Sequence, residues 1–372
     1  MSQAQGERSG APAADIPTAA PLPARGATSG AVSGSRPGTA AATPPPLLSV
    51  RNLRVEIPSR RGTLTALHDL NFDVAAGEIL GVVGESGAGK SLTGQAVIGL
   101  LEPPLRIAAG QVWFQGQDLA ALDREALRHI RGRDIGAIFQ DPLTSLNPLY
   151  TVGEMLVETL QTHLPLSRNQ AEQRALDMLT EVSIPSARER LHHYPHQFSG
   201  GMRQRVVIAL ALCTNPKLVI ADEPTTALDV SVQAQIITLL KRLCREHGTA
   251  VILVTHDMGV IAETAHRVCV MYAGRIVESG PVREVVQNPR HPYTLGLMSA
   301  IPQMRRESGP LAQIEGVMPR LNAIPPGCPF HPRCPRRFGP CDVEVPAAHA
   351  VGDQHTAACH LYGPSAGGAL RQ

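Results

Sequence analysis

The residues with the clearest chemical purpose are Gly84-Glu85-Ser86-Gly87-Ala88-Gly89-Lys90-Ser91, followed by Leu92. Glycines at this spacing let backbone N–H groups converge on oxyanions without side-chain obstruction. The stretch follows a continuous apolar run, Ile79–Val83, and precedes a helical pattern from Ser91 to about Leu100. A helix N-terminus there adds a dipole that favours negative charge. Lys90 would neutralise the terminal phosphates of a nucleoside triphosphate, and the Ser91 hydroxyl would ligate Mg²⁺. Lysine is rare in this chain: Lys90, Lys217 and Lys241 are the three among 34 basic residues. A GC-rich genome accounts for the arginines, which makes the lysine kept in this loop the more informative.

Three further stretches supply partners for such a loop. Leu218–Asp222 is an apolar strand ending in Asp222 and Glu223. Asp222 would hold Mg²⁺, mostly through water, and Glu223 would act as general base on the attacking water. Gln140, beyond the apolar run ending in Ile138, can ligate Mg²⁺ or the water, and His256, closing Val251–Thr255, would reach the γ-phosphate. Ser199-Gly200-Gly201-Met202 forms a second anion nest, a capping serine and two small residues opening a helix. One chain needs only one phosphate loop. A second nest makes sense if it completes the site of another subunit, with the nucleotide sandwiched between two domains.

The elements that must position these residues alternate strand, polar loop and helix, the signature of an α/β domain with a largely parallel sheet. Leu48–Ile57 and Leu70–Val74 alternate as half-buried strands do, while Ile79–Val83, Leu218–Ala221 and Ala250–Val254 read as strands buried on both faces. Ligands in such sheets bind beyond the carboxyl ends of the strands, where every stretch above falls. Between about Thr151 and His196 the period becomes helical, marking an insertion. Residues 1–46 are rich in Ala, Gly, Pro, Ser and Thr and read as a disordered tail, with neither a secretory h-region nor an amphipathic arginine face. The net charge of +2 argues against wholesale nucleic-acid binding. The longest apolar run, Val206–Cys213, is far short of the roughly 20 residues a membrane span needs, so any work at a membrane requires docking on something that spans it.

Of the seven cysteines, Cys213, Cys244 and Cys269 sit singly in apolar patterns and read as small buried hydrophobes. Cys328, Cys334, Cys341 and Cys359 lie in a Pro/Arg-rich segment that can build little core of its own. Four thiolates there suit a stabilising metal. The x5, x6, x17 spacing lacks the tight pair of zinc ribbons, and a Cys₄ set also suits an iron–sulfur cluster. Zinc, with His331, His355 or His360 joining, and free thiols are the alternatives. Disulfides are not expected beside a cytosolic nucleotide site.

The order of these elements from Leu47 to about Val286 resembles the ABC ATPases: Walker A, Q-loop, signature, Walker B, D-loop and switch histidine. The expected fold is a P-loop NTPase core over 47–286, with a helical subdomain at about 143–212, a Cys-rich extension over 287–363 and a disordered tail over 364–372. The resemblance implies ATP as ligand, contact of Ser199, Gly200 and Gly201 with the γ-phosphate across a dimer interface, and a D-loop at Asp229. It also implies that the helical insertion and the Gln140 segment face membrane subunits.

Finer wording is similar to the oligopeptide/dipeptide (nickel) importer family: Ile138–Pro148, Tyr194–Arg205, Ala221–Val230 and His291-Pro-Tyr-Thr294 with the Cys-rich tail behind it. Met202 in place of the commoner glutamine resembles the D-type member. Partners implied are an F-type ATPase companion or a second copy, two integral membrane permease subunits and, indirectly, an extracytoplasmic solute-binding protein, with the chain peripheral on the cytoplasmic face. In some members the tail carries [4Fe–4S]. The family often stacks an aromatic ring on adenine where this chain has Ile57, which packs against a base but cannot stack on it. The alternatives are a non-transport ABC ATPase acting on nucleic acid or ribosomes, and a redox sensor centred on the cysteines. The first usually carries coiled-coil insertions, zinc modules or paired ATPase domains, none of which is visible here.

Overall fold

Residues 45–60, 62–225, 228–299 and 314–363 are described in a computed structural model of the chain. The expected tails, 1–46 and 364–372, lie outside these residues except for Pro45 and Pro46. The alternating segments form two long strands, β1 (Leu48–Ser59) and β2 (Gly62–Val74), and the apolar run forms β3 (Ile79–Val83). With β4 (Arg106–Phe114) and β5 (Gln117–Asp118), β1 and β2 make a four-stranded antiparallel sheet in the order β2-β1-β4-β5. Its pleat turns Leu48 and Val50 inward, then Leu53 and Val55 after a bulge at Arg51 and Asn52 resets the alternation.

The second sheet has eight strands. Its parallel part contains β3, β6 (Ile135–Ile138), β7 (Leu218–Asp222), β8 (Ala250–Thr255) and β9 (Arg267–Tyr272), in the spatial order β9-β3-β8-β7-β6. All residues of β3 and β8 are buried, because both faces are covered. The antiparallel β10 (Arg275–Pro281) follows β9. The hairpin β11 (Ala348–Gly352) and β12 (His355–Ala358) then pairs onto β10 through Glu278↔Ala357 and Ser279↔Thr356. The Cys-rich segment therefore continues this sheet. With little apolar sequence of its own, it buries Cys328 and Phe330 in the core already there.

Helices occupy the connections: α1 (Lys90–Val97), α2 (Arg124–Ile130), α3 (Pro142–Ser145), α4 (Val152–His163), α5 (Arg168–Glu181) and α6 (Ala187–Arg190). They are followed by α7 (Gly200–Leu212), α8 (Val230–His247), α9 (Met258–Thr264), α10 (Val282–Gln287) and α11 (Pro292–Ser299). The helical insertion is α4 to α6. Its two long helices start with capping boxes, Thr151 with Glu154 and Ser167 with Gln170, each satisfying orphan N–H groups in both directions. No described helix is long and apolar enough to cross a membrane.

Candidate nucleotide site

The glycine loop joins β3 to α1 and closes over its own lysine. Lys90 is only 6% exposed, and its ammonium donates to the carbonyls of Gly84 at 3.0 Å and Glu85 at 3.1 Å. Burial lowers its pKa, and the carboxylates of Glu223, Asp222 and Glu85 partly offset that. Gly84 is obligatory here: a Cβ would run into the Met271 carbonyl oxygen. Ala88 is buried beneath the loop, while Ser86 and Gly87 lie at its exposed rim. Ser91 and Leu92 follow in the first turn of α1 and are partly buried.

The strand ends bring the other candidates together. Ser91 Oγ donates to Asp222 Oδ1 at 3.0 Å across the gap between α1 and β7. Burial raises the pKa of Asp222; the Ser91 hydrogen bond opposes the rise and the Glu223 carboxylate adds to it. The Gln140 amide donates to Glu223 Oε2 at 3.3 Å, and His256 Nδ1 lies 3.3 Å from Glu223 Oε1. Three loops separated by 83 and 33 residues thus meet at one carboxylate. Glu223 itself is in the left-handed region, φ 45°, with its N–H donated to the Val254 carbonyl at 2.9 Å. A non-glycine residue there costs on the order of 1 kcal/mol or more, and such strain gathers at functional sites.

The second nest opens α7. Ser199 is its N-cap, its hydroxyl accepting from Met202 N at 3.4 Å. Gly201 is glycine for packing, since a Cβ would stand 2.8 Å from Val232 Cγ1 on α8. Ser199 and Gly200 are exposed, and no described hydrogen bond or ion pair joins them to the glycine loop. Asp229 caps α8 through Val232 N at 2.9 Å.

The four C-terminal cysteines also converge. Cys328 N donates to Cys341 O at 2.8 Å. Burial pushes the Cys328 thiol up to about 11; hydrogen bonds from the Phe330 and His331 backbone oppose the rise, and neighbouring Cys341 and Cys334 add to it. Cys359 is likewise pushed up to about 11 by burial, with Cys328, Cys334 and Cys341 all contributing. Among the described residues no three His, Cys, Asp or Glu groups are placed to hold a single metal ion. Cys213, Cys244 and Cys269 are buried, and burial raises each thiol.

Two supports of the loop were not read from the sequence. Tyr293 Oη accepts from Glu85 N at 2.8 Å, and Arg333 makes a two-pronged ion pair with the Glu85 carboxylate at 2.9 and 3.1 Å. Tyr293 lies in a stretch noted only for its wording, and Arg333 stands beside Cys334. The pairings span 208 and 248 residues, so no local pattern announces them.

With this geometry in hand, comparison with known proteins is direct. Residues 67–226 match the family model of the ABC transporter, and residues 277–341 match that of the oligopeptide/dipeptide transporter C-terminal region. The chain is 48% identical to the dipeptide transport ATP-binding protein DppD of Bacillus subtilis, covering 85% of this chain and 94% of that one. It is 49% identical to the oligopeptide transport ATP-binding protein OppD of Salmonella typhimurium, covering 86% and 96%. Among solved structures it is similar to a dimeric post-hydrolysis state of the ATP-binding cassette MJ0796 bound to ADP and Pi. That match has a TM-score of 0.57 and 31% identity, and covers 63% of this chain and 99% of that one. The chain belongs to the ABC transporter ATP-binding subunits, in the oligopeptide/dipeptide branch.

Proposed function

We propose that this chain binds and hydrolyses ATP to drive a membrane importer of di- or oligopeptides, from the cytoplasmic face and in a complex with permease subunits. The observation that carries the reading is the Ser91–Asp222 contact next to Glu223, which Gln140 and His256 both reach, beside a buried Lys90. The backbone amides of Gly87 to Ser91 and the Lys90 ammonium gather the phosphates. Ser91, Asp222 and Gln140 would hold Mg²⁺, which would supply charge neutralisation at the β- and γ-phosphates. Glu223 takes a proton from water as the water oxygen attacks the γ-phosphorus and ADP leaves. Gln140 and His256, bonded to the same carboxylate, orient it and report the γ-phosphate to the rest of the molecule.

The exposed Ser199-Gly200-Gly201-Met202 nest serves the ATP held by a second ATPase subunit, with Asp229 on the connecting loop. The dimeric relative supports pairing, and Met202 supports an F-type partner over a second copy. Two permease subunits and an extracytoplasmic solute-binding protein complete the assembly. Nothing in the relatives favours the nucleic-acid alternative.

For the four cysteines, a [4Fe–4S] cluster is the reading we favour over zinc. Cys328, Cys341 and Cys359 are buried and Cys334 half-buried beside them, and charging four such thiols together needs a strongly compensating cationic centre. A bound cluster would supply a cross-link for this core-poor segment. Protein purified without oxygen should then contain iron and labile sulfide, and their absence would remove the cluster from this account.

The test of the main reading is Glu223→Gln in the reconstituted transporter. It should bind ATP, hold the ATPase dimer together and lose turnover by about 10²–10³-fold. Brisk hydrolysis would overturn the general-base assignment, and a wild-type complex that hydrolyses ATP without moving peptide would overturn the substrate class.

A further inference from the structure

We propose that Arg333 is a positioning residue for nucleotide affinity: it neutralises and orients Glu85, so the C-terminal segment sets how tightly the glycine loop holds ATP. This rests on the phosphate-loop reading above and adds a residue from outside the ATPase motifs. Glu85 is the second residue of that loop, and its carbonyl accepts from the Lys90 ammonium at 3.1 Å, so its carboxylate sits beside the phosphate cradle. Left alone, a carboxylate there would repel a polyphosphate and compete for the lysine. Arg333 answers it with two parallel hydrogen bonds at 2.9 and 3.1 Å, the geometry in which guanidinium and carboxylate bind most specifically.

The guanidinium is itself fixed. Its side chain is 8% exposed, its Nε donates to Glu315 O at 2.8 Å, and its plane lies over the rings of Tyr272 and Phe330 at 5.8 and 5.9 Å. Tyr293, from the same C-terminal part of the chain, holds the Glu85 backbone at 2.8 Å. Met318 approaches Gly87, 3.8 Å from where a Cβ would stand. Both the charge and the path of the loop are thus controlled from residues 293–333. Arg333 immediately precedes Cys334, so a disturbance of the four-thiol element has one peptide bond to cross before it reaches this contact.

The experiment uses the full-length chain and a fluorescent ATP analogue, with steady-state ATPase of the assembled complex beside it. Arg333→Gln should weaken binding by about tenfold or more and raise KM while leaving kcat largely intact, because the lost partner exposes an uncompensated charge. Arg333→Lys should recover part of the loss. The decisive arm is Glu85→Gln added to Arg333→Gln: removing the stranded carboxylate should restore binding to within about threefold of the parent. A double variant no better than Arg333→Gln, or Arg333→Gln binding like the parent, overturns the proposal. Should Arg333→Gln fail to fold, Tyr293→Phe removes only a hydroxyl and should still weaken binding about threefold by leaving Glu85 N–H unpaired; unchanged binding counts against the proposal. Lys90→Ala is run in parallel. If it still binds the analogue, the phosphate-loop reading has failed, whatever Arg333 does.

Discussion

The two anion nests of this molecule are built from the same materials and finished differently. At Gly84 to Ser91 the backbone closes over a buried cation, and Tyr293 and Arg333 brace the loop from the C-terminal segment. At Ser199 to Met202 there is a capped helix N-terminus, exposed, with no lysine in it. A cradle with its own cation can hold phosphate alone; a bare helix end adds a few tenths to about 1 kcal/mol and needs a phosphate already delivered to it. The contrast fits the proposed division, in which the first nest binds nucleotide and the second completes a partner's site.

That contrast can be broken experimentally. Lys90→Ala should cost the isolated chain its nucleotide affinity, by about 10²-fold or more in titration with a fluorescent analogue, since a buried charge partner of the phosphates is lost. Gly200→Asp should leave the same titration unchanged, because its Cβ would meet only Leu228 Cδ2 at an ordinary 3.7 Å and it lies in the other nest. In the assembled transporter it should nonetheless cut ATP hydrolysis by about 10²-fold, by placing a carboxylate against the partner's γ-phosphate. If Gly200→Asp weakens binding by the isolated chain, the division of labour is wrong.

Stability sharpens the other side of the comparison, the bracing of the first nest. His291 is 1% exposed, and its Nδ1 accepts from Tyr293 N at 3.0 Å. Burial lowers its pKa from 6.5 to about 3. The folded state resists protonation that the unfolded chain accepts, so stability is full above about pH 6.5 and falls as pH drops towards 3. The loss grows with each pH unit below that point, because the unfolded chain takes up a proton the folded one excludes. His291→Asn keeps an acceptor near Tyr293 N and does not titrate. Denaturant melts across that range should show a shallower slope than the parent, and an equal slope would clear His291 of the effect. The smallest effect expected is at the rim of the second nest: Asp229→Ala removes the α8 cap and should cost about 1 kcal/mol in chemical denaturation without altering nucleotide titration.

Much of the ATP site was legible because its parts are local. A strand, a tight loop and a helix are adjacent in the chain, so Gly84 to Ser91 declares its chemistry by spacing. Asp222 and Glu223 do the same at the end of a strand. What lay beyond reach were pairings across the chain. Nothing near Glu85 points to Arg333, 248 residues away, and nothing near Glu278 shows that the Cys-rich segment would extend the sheet through Ala357. The left-handed backbone of Glu223 was equally invisible, since glutamate gives no sign of φ 45° until a neighbouring strand fixes its N–H.

By itself the sequence determined an α/β fold of the ABC ATPase kind, the loop and strand-end residues that the structure brings together, and a second nest with no lysine of its own. Only the tertiary structure decided what stands behind those residues. A charge such as Arg333 is stable when buried only where its partner and three carbonyls meet it, and those come from parts of the chain that have no reason to be near one another until the sheet is complete.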